Sequence, residues 1–233
     1  MNSDISKMIE LQRFWDVVLR CREEIRKAGE SIEYWKGRLD ECVDRVALLR
    51  EAIKLLKSTM GGKEVDLAVL EDKIARLETR RDAVKTEREA AAVQTELAAA
   101  AAEKSEREEE ILLLMEELES KNAALSEAEK EAEEVRKQSE TDIVMLEERI
   151  GRFTTQMDEH RARFDEGLSG LSPAVRPKFL KLTGTGNGKA IVRIDGETCE
   201  GCWVKVPVHL AGDVSKQDRA ISCSNCGRFL YDG

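Results

Sequence analysis

Aromatic side chains make up only 4% of this 233-residue chain, and histidine occurs twice. So few large rings cannot fill one thick core, and with 36% of residues charged the composition fits long helices instead. Two histidines, no Gly-rich phosphate loop and no Ser-His-Asp set leave an enzymatic reading with little support. No apolar run approaches the roughly 18 residues that a membrane span requires, so no membrane insertion is expected. Residues 1–16 interleave Asp4, Lys7, Glu10 and Arg13 with their apolar residues, which leaves no signal-peptide core. The expected compartment is therefore a reducing cytoplasm, where paired cysteines are more often metal ligands than disulfides.

Charge divides the chain. Residues 171–233 hold nine basic and six acidic residues, whereas residues 1–170 hold 29 basic and 41 acidic ones. The first cluster of glycine, serine and proline, Gly167 to Pro173, lies at this boundary. Three regions follow: a coiled-coil hairpin over 1–168, a linker and basic neck over 169–188, and a small β unit over 189–233.

From Leu11, alternate steps of three and four residues pass through Phe14, Val18, Cys21 and onward to Val84. Twenty of these twenty-two positions are apolar, all but Lys63 and Arg81, against 41% for the whole chain. A stripe kept at a period of 3.5 residues must supercoil around a partner helix. The register crosses Gly61-Gly62 without a skip, so these glycines read as a bend or soft spot in one helix before they read as a turn. The turn is placed at Thr86–Glu89, where Thr-Glu-Arg-Glu has the form of a capping box and divides the helical region into arms of equal length. The returning stripe runs through Ile111, Leu114, Leu118, Leu125, Ala128, Ala132 and Val135. It resumes at Ile143 after four-residue steps through Ser139, a stutter. Cys21, Cys42 and His160 fall on these stripes and read as core residues; the Glu-rich runs read as solvated faces. Alanines between Ala90 and Ala102 let the helices approach closely near the tip.

Cys199-Glu-Gly-Cys202 and Cys223-Ser-Asn-Cys226 are separated by twenty residues, a spacing that points to one tetrahedral zinc ion. Four thiolates leave no position open for water, so the zinc is structural and supplies folding energy to a unit too small for a sufficient core. Gly201 and Gly227 suit tight turns at the two knuckles. Strands are expected at Lys189–Ile194, Trp203–Val208 and Arg228–Tyr231, with a hairpin between the cysteine pairs.

The last sixty residues resemble a bacterial C4-type zinc-ribbon family catalogued as a domain of unknown function (DUF164). The match rests on Arg176-Pro-Lys-Phe-Leu180, Ala190–Ile194, Gly196, the Cys199–Cys202 knuckle, Pro207 and the block Asp218–Tyr231. Val84–Glu89 resembles the family's hairpin tip, and Ile111–Glu117 another of its segments; Ala90 and Val208-His209 depart from its pattern. The resemblance implies a coiled-coil hairpin with a zinc ribbon. It also implies binding to flagellar or type III secretion components, to sigma-54, and in one branch to messenger RNA.

The residues themselves support an interaction scaffold whose partner surface includes Arg176, Lys178, Lys181, Arg193, Trp203 and Arg228, with the rod used for reach or for homo-oligomerisation. The alternative is nucleic-acid binding through the same basic neck, with Lys189 added and Trp203, Phe229 and Tyr231 available for stacking. Against it, four thiolates and one Zn²⁺ reduce the ribbon's positive charge, and the rod is acidic.

Overall fold

The computed structural model describes residues 3–185 and 187–233. Two long helices, α1 (Ser3–Ala83) and α2 (Glu87–Gly167), are followed by a 3₁₀ turn at Leu168–Gly170 and a short helix α3 (Arg176–Thr183). The remainder forms β1 (Ile191–Asp195), β2 (Thr198–Cys199), α4 (Val208–Lys216), β3 (Ile221–Ser222) and β4 (Phe229–Tyr231). No helix is long and apolar enough to cross a membrane among the described residues. The contacts divide the chain into two compact units, residues 34–141 and residues 1–33 with 142–233, and α1 and α2 contribute segments to both.

The unit 34–141 is a helical hairpin. Every stripe position of α1 except Arg81 is buried or half-buried, and α1 runs unbroken through Gly61-Gly62. The reversal occupies Val84–Thr86. Thr86 Oγ accepts the Glu89 amide at 3.3 Å and donates to the Glu89 carboxylate at 2.7 Å, so glutamate meets the capping hydroxyl rather than the backbone N–H of a full capping box. Ion pairs cross between the helices: Arg45–Glu131 at 2.8 Å, Lys63–Glu110 at 2.8 Å and Lys104–Glu71 at 2.9 Å. Numbers rise on α1 as they fall on α2, the signature of an antiparallel register without a slip. Exposed pairs like these contribute at most ~1 kcal/mol each; the apolar seam carries the stability. Ala100 and Ser139 are fully buried, and Ser139 stays satisfied by donating to the Arg136 carbonyl at 2.8 Å, which is how a serine is tolerated at the stutter.

The other unit is built around the start of α1. Its sheet has the order β2-β1-β4-β3, with β1 and β4 parallel and the outer pairs antiparallel. Side chains alternate across a strand, so the sheet separates two cores. Ile191 and Phe229 face one that contains Ile5, Met8, Leu11, Trp15, Phe164 and Phe179. Ile194 and Leu230 face another that contains Val206, Val214, Ile221, Cys199 and Cys223. Segment 169–183 is well packed: Leu171, Val175 and Phe179 are buried against α1.

Polar contacts fix the chain here. Gln12 is 6% exposed; its amide oxygen accepts from Ala190 N at 2.7 Å, and its amide nitrogen donates to the Gly188 carbonyl at 3.1 Å and to Asp16 at 2.7 Å. Trp15 Nε1 donates to the Thr183 carbonyl at 3.2 Å. Asp4 receives both the backbone N–H and the hydroxyl of Ser172, at 2.9 and 2.7 Å.

One expected element is corrected. Residues 203–208 form no strand; only the isolated bridge Thr198–Lys205 remains, and the cysteine pairs are joined through α4 instead of a β-hairpin. Alternating Val204, Val206 and Val208 gives a strand-like pattern, but Leu210, Ala211 and Val214 follow the helical spacing. Pro207, with φ −56°, provides a start that lacks only an N–H the first turn leaves unpaired.

Candidate metal centre

The two cysteine knuckles have nearly the same backbone. Cys199 N donates to Val204 O at 3.1 Å and Cys223 N to Arg228 O at 2.8 Å, each spanning five residues. The carbonyl of Cys199 accepts from Trp203 N at 2.7 Å and that of Cys223 from Gly227 N at 2.9 Å, each spanning four. The fourth residue after each first cysteine must therefore enter the left-handed region. It is Gly227 with φ 74° in the second knuckle and Trp203 with φ 60° in the first. The sequence points to Gly201 for this role in the first knuckle, but that glycine answers a different need. A Cβ there would lie 2.9 Å from Arg228 Cδ and 3.1 Å from Val192 Cγ2, so Gly201 makes room for the arginine.

The knuckles face each other across four sulfur atoms that all lie within 4.8 Å of one another. Cys199–Cys226 and Cys202–Cys223 are separated by 3.9 and 3.8 Å. Metal–sulfur bonds of about 2.3 Å in a tetrahedron give sulfur–sulfur distances of about 3.8 Å, so the four residues fit one metal ion. Burial pushes the Cys199 and Cys223 thiols up from their ordinary range, since a buried thiolate lacks solvation. The Asn225 side chain, first among its neighbours, brings Cys202 down to about 6. A bound cation would reverse the cost of burial at Cys199 and Cys223.

Three solved structures share this fold. CT398 from Chlamydia trachomatis matches with a TM-score of 0.89 at 19% identity, covering 99% of this chain and 98% of that one. The HP0958 protein from Helicobacter pylori matches at 0.66 and 19%, over 99% and 98% of the two chains. A Mycobacterium smegmatis protein matches at 0.69 and 17%, over the whole of both. All are bacterial, and identities this low speak for the fold alone. No family model matches the chain, and no curated protein does.

The six residues assigned to a partner surface have different fates. Arg228 is half-buried and donates to the carbonyls of Gly201 at 2.7 Å and Lys189 at 3.0 Å and to Asn187 Oδ1 at 3.1 Å. It joins the second knuckle to the first, a structural role. Arg176 is half-buried and donates to the Ser169 and Leu171 carbonyls. Lys178 donates to Ser222 Oγ at 2.6 Å and lies over the Phe229 ring. Lys181 and Arg193 are exposed, and Trp203 is 76% exposed. Arg193 and Trp203 line a groove of about 360 Å³ together with Arg13, Asp16, Glu200 and Tyr231. Lys189 is paired with Asp16 at 2.7 Å, and Phe229 is buried; neither is available for phosphate contact or base stacking. His209 is exposed on the first turn of α4. Composition gave no sign of the Gln12 network; only the polar residue beside Leu11, on a helix otherwise apolar inward, hinted at it.

Proposed function

We propose that this chain is a non-enzymatic adaptor that holds one structural zinc ion through Cys199, Cys202, Cys223 and Cys226 and recognises protein partners through the ribbon. Four thiolates favour zinc among the common divalent ions and complete its coordination. Trp203 carries the partner reading. A tryptophan held in the left-handed region costs about 1–2 kcal/mol relative to glycine, its counterpart in the second knuckle is glycine, and its ring contributes little to the fold while 76% exposed. An exposed indole on a hydrogen-bonded backbone turn, lining a groove with Tyr231 and Arg193, has the composition of an interface hot spot. Secretion or flagellar components and sigma-54 are the partner classes that the family resemblance suggests. The same groove offers less to nucleic acid, because Asp16 and Glu200 offset two of its three cations, Arg13, Lys189 and Arg193, and leave little net attraction for phosphate.

The test has two readings. Native mass spectrometry of the reduced chain should give one zinc per chain. Affinity capture from the native cell should recover a protein partner that Trp203→Ala loses while retaining zinc and thermal stability. No bound metal would end the zinc assignment; equal capture by Trp203→Ala would remove the partner site from the ribbon.

A further inference from the structure

Pairing with α2 uses only one face of α1. Over residues 53–70 the stripe facing α2 is Ile53, Leu56, Met60, Lys63, Leu67 and Leu70, all buried or half-buried. A second stripe with the same alternation of three and four runs along the opposite side: Leu55, Ser58, Gly62, Val65 and Val69. All five residues are exposed, Leu55 at 70% and both valines at 64%; one heptad earlier the row holds Leu48, with Glu51 between. Nothing in the hairpin covers them.

Gly61 and Gly62 sharpen the point. Each costs about 1 kcal/mol in a helix interior relative to alanine. A Cβ on either would meet nothing within 4 Å, so close packing inside the chain does not call for them. Gly62 sits at the middle of the outer stripe, where a missing side chain lets another helix backbone approach.

The net charge changes sign across that glycine, from +2 over residues 50–57 to −2 over residues 63–73. Arg50, Lys54 and Lys57 precede it with Glu51 among them; Glu64, Asp66, Glu71 and Asp72 follow it with Lys63 and Lys73. Lys57, Glu64 and Asp66 form no ion pair among the described residues. A stripe of this kind favours one direction of pairing with itself. Antiparallel, the basic half of one helix meets the acidic half of the other; parallel, like charge faces like charge.

We propose that the outer stripe of α1 is a self-association seam, pairing antiparallel with the same seam of a second copy of this chain about a two-fold axis near Gly62. Leu55 of each copy packs toward Val69 of the other, with Val65 between Gly62 and Val69, and the arrangement is isologous, as closed dimers require. Each α1 then lies between its own α2 and the second α1, as an inner helix of a four-helix layer. This association is independent of the ribbon and of its metal.

Sedimentation of the full chain over a range of concentrations tests it. The expected result is a reversible dimer. Leu55→Glu combined with Val65→Glu, both exposed in the single chain, should raise the dimer dissociation constant roughly 100-fold by placing charge in the seam, with helicity by circular dichroism unchanged. Lys57→Glu and Glu64→Lys should each weaken the dimer roughly fivefold, and the two together should restore it. Three outcomes overturn the proposal: a chain that remains monomeric at high concentration, a dimer indifferent to the Leu55/Val65 change, or a double charge reversal as weak as either single one. A monomer whose seam instead binds a soluble amphipathic leucine–lysine helical peptide would assign it to a foreign helix, and that too overturns self-pairing.

Discussion

Two stretches of α1 carry a second apolar stripe beside the one that faces α2. Near the N-terminus it is Ile5, Met8, Gln12 and Trp15, at steps of three, four and three, and all four are buried beneath α3 and the sheet. In the middle of the helix it is Leu55, Ser58, Gly62, Val65 and Val69, and it is bare. A helix with one stripe needs one partner; a helix with two needs a second. The chain supplies that second partner once, in the unit that holds the four clustered cysteines, and the uncovered stripe marks where it does not.

The comparison is broken most forcefully by removing the metal. Coordination of a structural ion contributes of the order of 10 kcal/mol to a folded site, and cysteines 199 and 223 belong to the core beneath one face of the sheet. Chelation under reducing conditions should therefore loosen the sheet and unseat the cover over Trp15. Tryptophan emission should shift to longer wavelength, while the amide protection of helical residues 40–75 remains. Loss of protection throughout the chain would mean that the two stretches do not differ in what they depend on. Next in size, Phe179→Ala empties a fully buried site in the same cover and should cost ~3–5 kcal/mol. Leu55→Ala, by contrast, should leave the unfolding free energy of the monomer within ~0.5 kcal/mol. Denaturant titrations at a concentration below dimerisation would compare them directly.

Legibility in the sequence followed the range of the interactions. The coiled coil, its reversal near Thr86 and the four cysteines are written in local spacing, and they could be read from it. The joining of the ribbon unit to α1 rests on pairs such as Gln12 with Ala190, which no local pattern connects. Residues 203–208 imitate a strand through their alternating valines, although Pro207 already caps a helix. The knuckle glycines were half legible: Gly227 serves the backbone angle it suggests, but at Gly201 the demand is space for Arg228, and the left-handed position is filled by Trp203.

Gln12→Ala should sharpen the same contrast on a smaller scale. It strands the Ala190 N–H and the Gly188 carbonyl in a buried place, at roughly 1–3 kcal/mol, so the Ala190 amide should lose hydrogen-exchange protection first. Trp203→Gly has the opposite sign. With φ 60° already in place, glycine relieves strain and should stabilise the metal-loaded ribbon by ~1 kcal/mol, offset only slightly by the loss of an exposed ring, even as partner capture falls.

The smallest effect separates folding from association. Gly62→Ala adds a methyl group that meets nothing in the chain, so the monomer should gain about 1 kcal/mol from better helix propensity, visible as a higher denaturation midpoint with an unchanged slope. At the covered stripe no such free gain exists, because every position there is already in contact. If Gly62 lies where two helices cross, the same methyl group should weaken the dimer while it strengthens the fold. Opposite signs in the two measurements are what an unfilled interface produces; a gain in both would mean that the glycine is merely a weak point in a solvated helix.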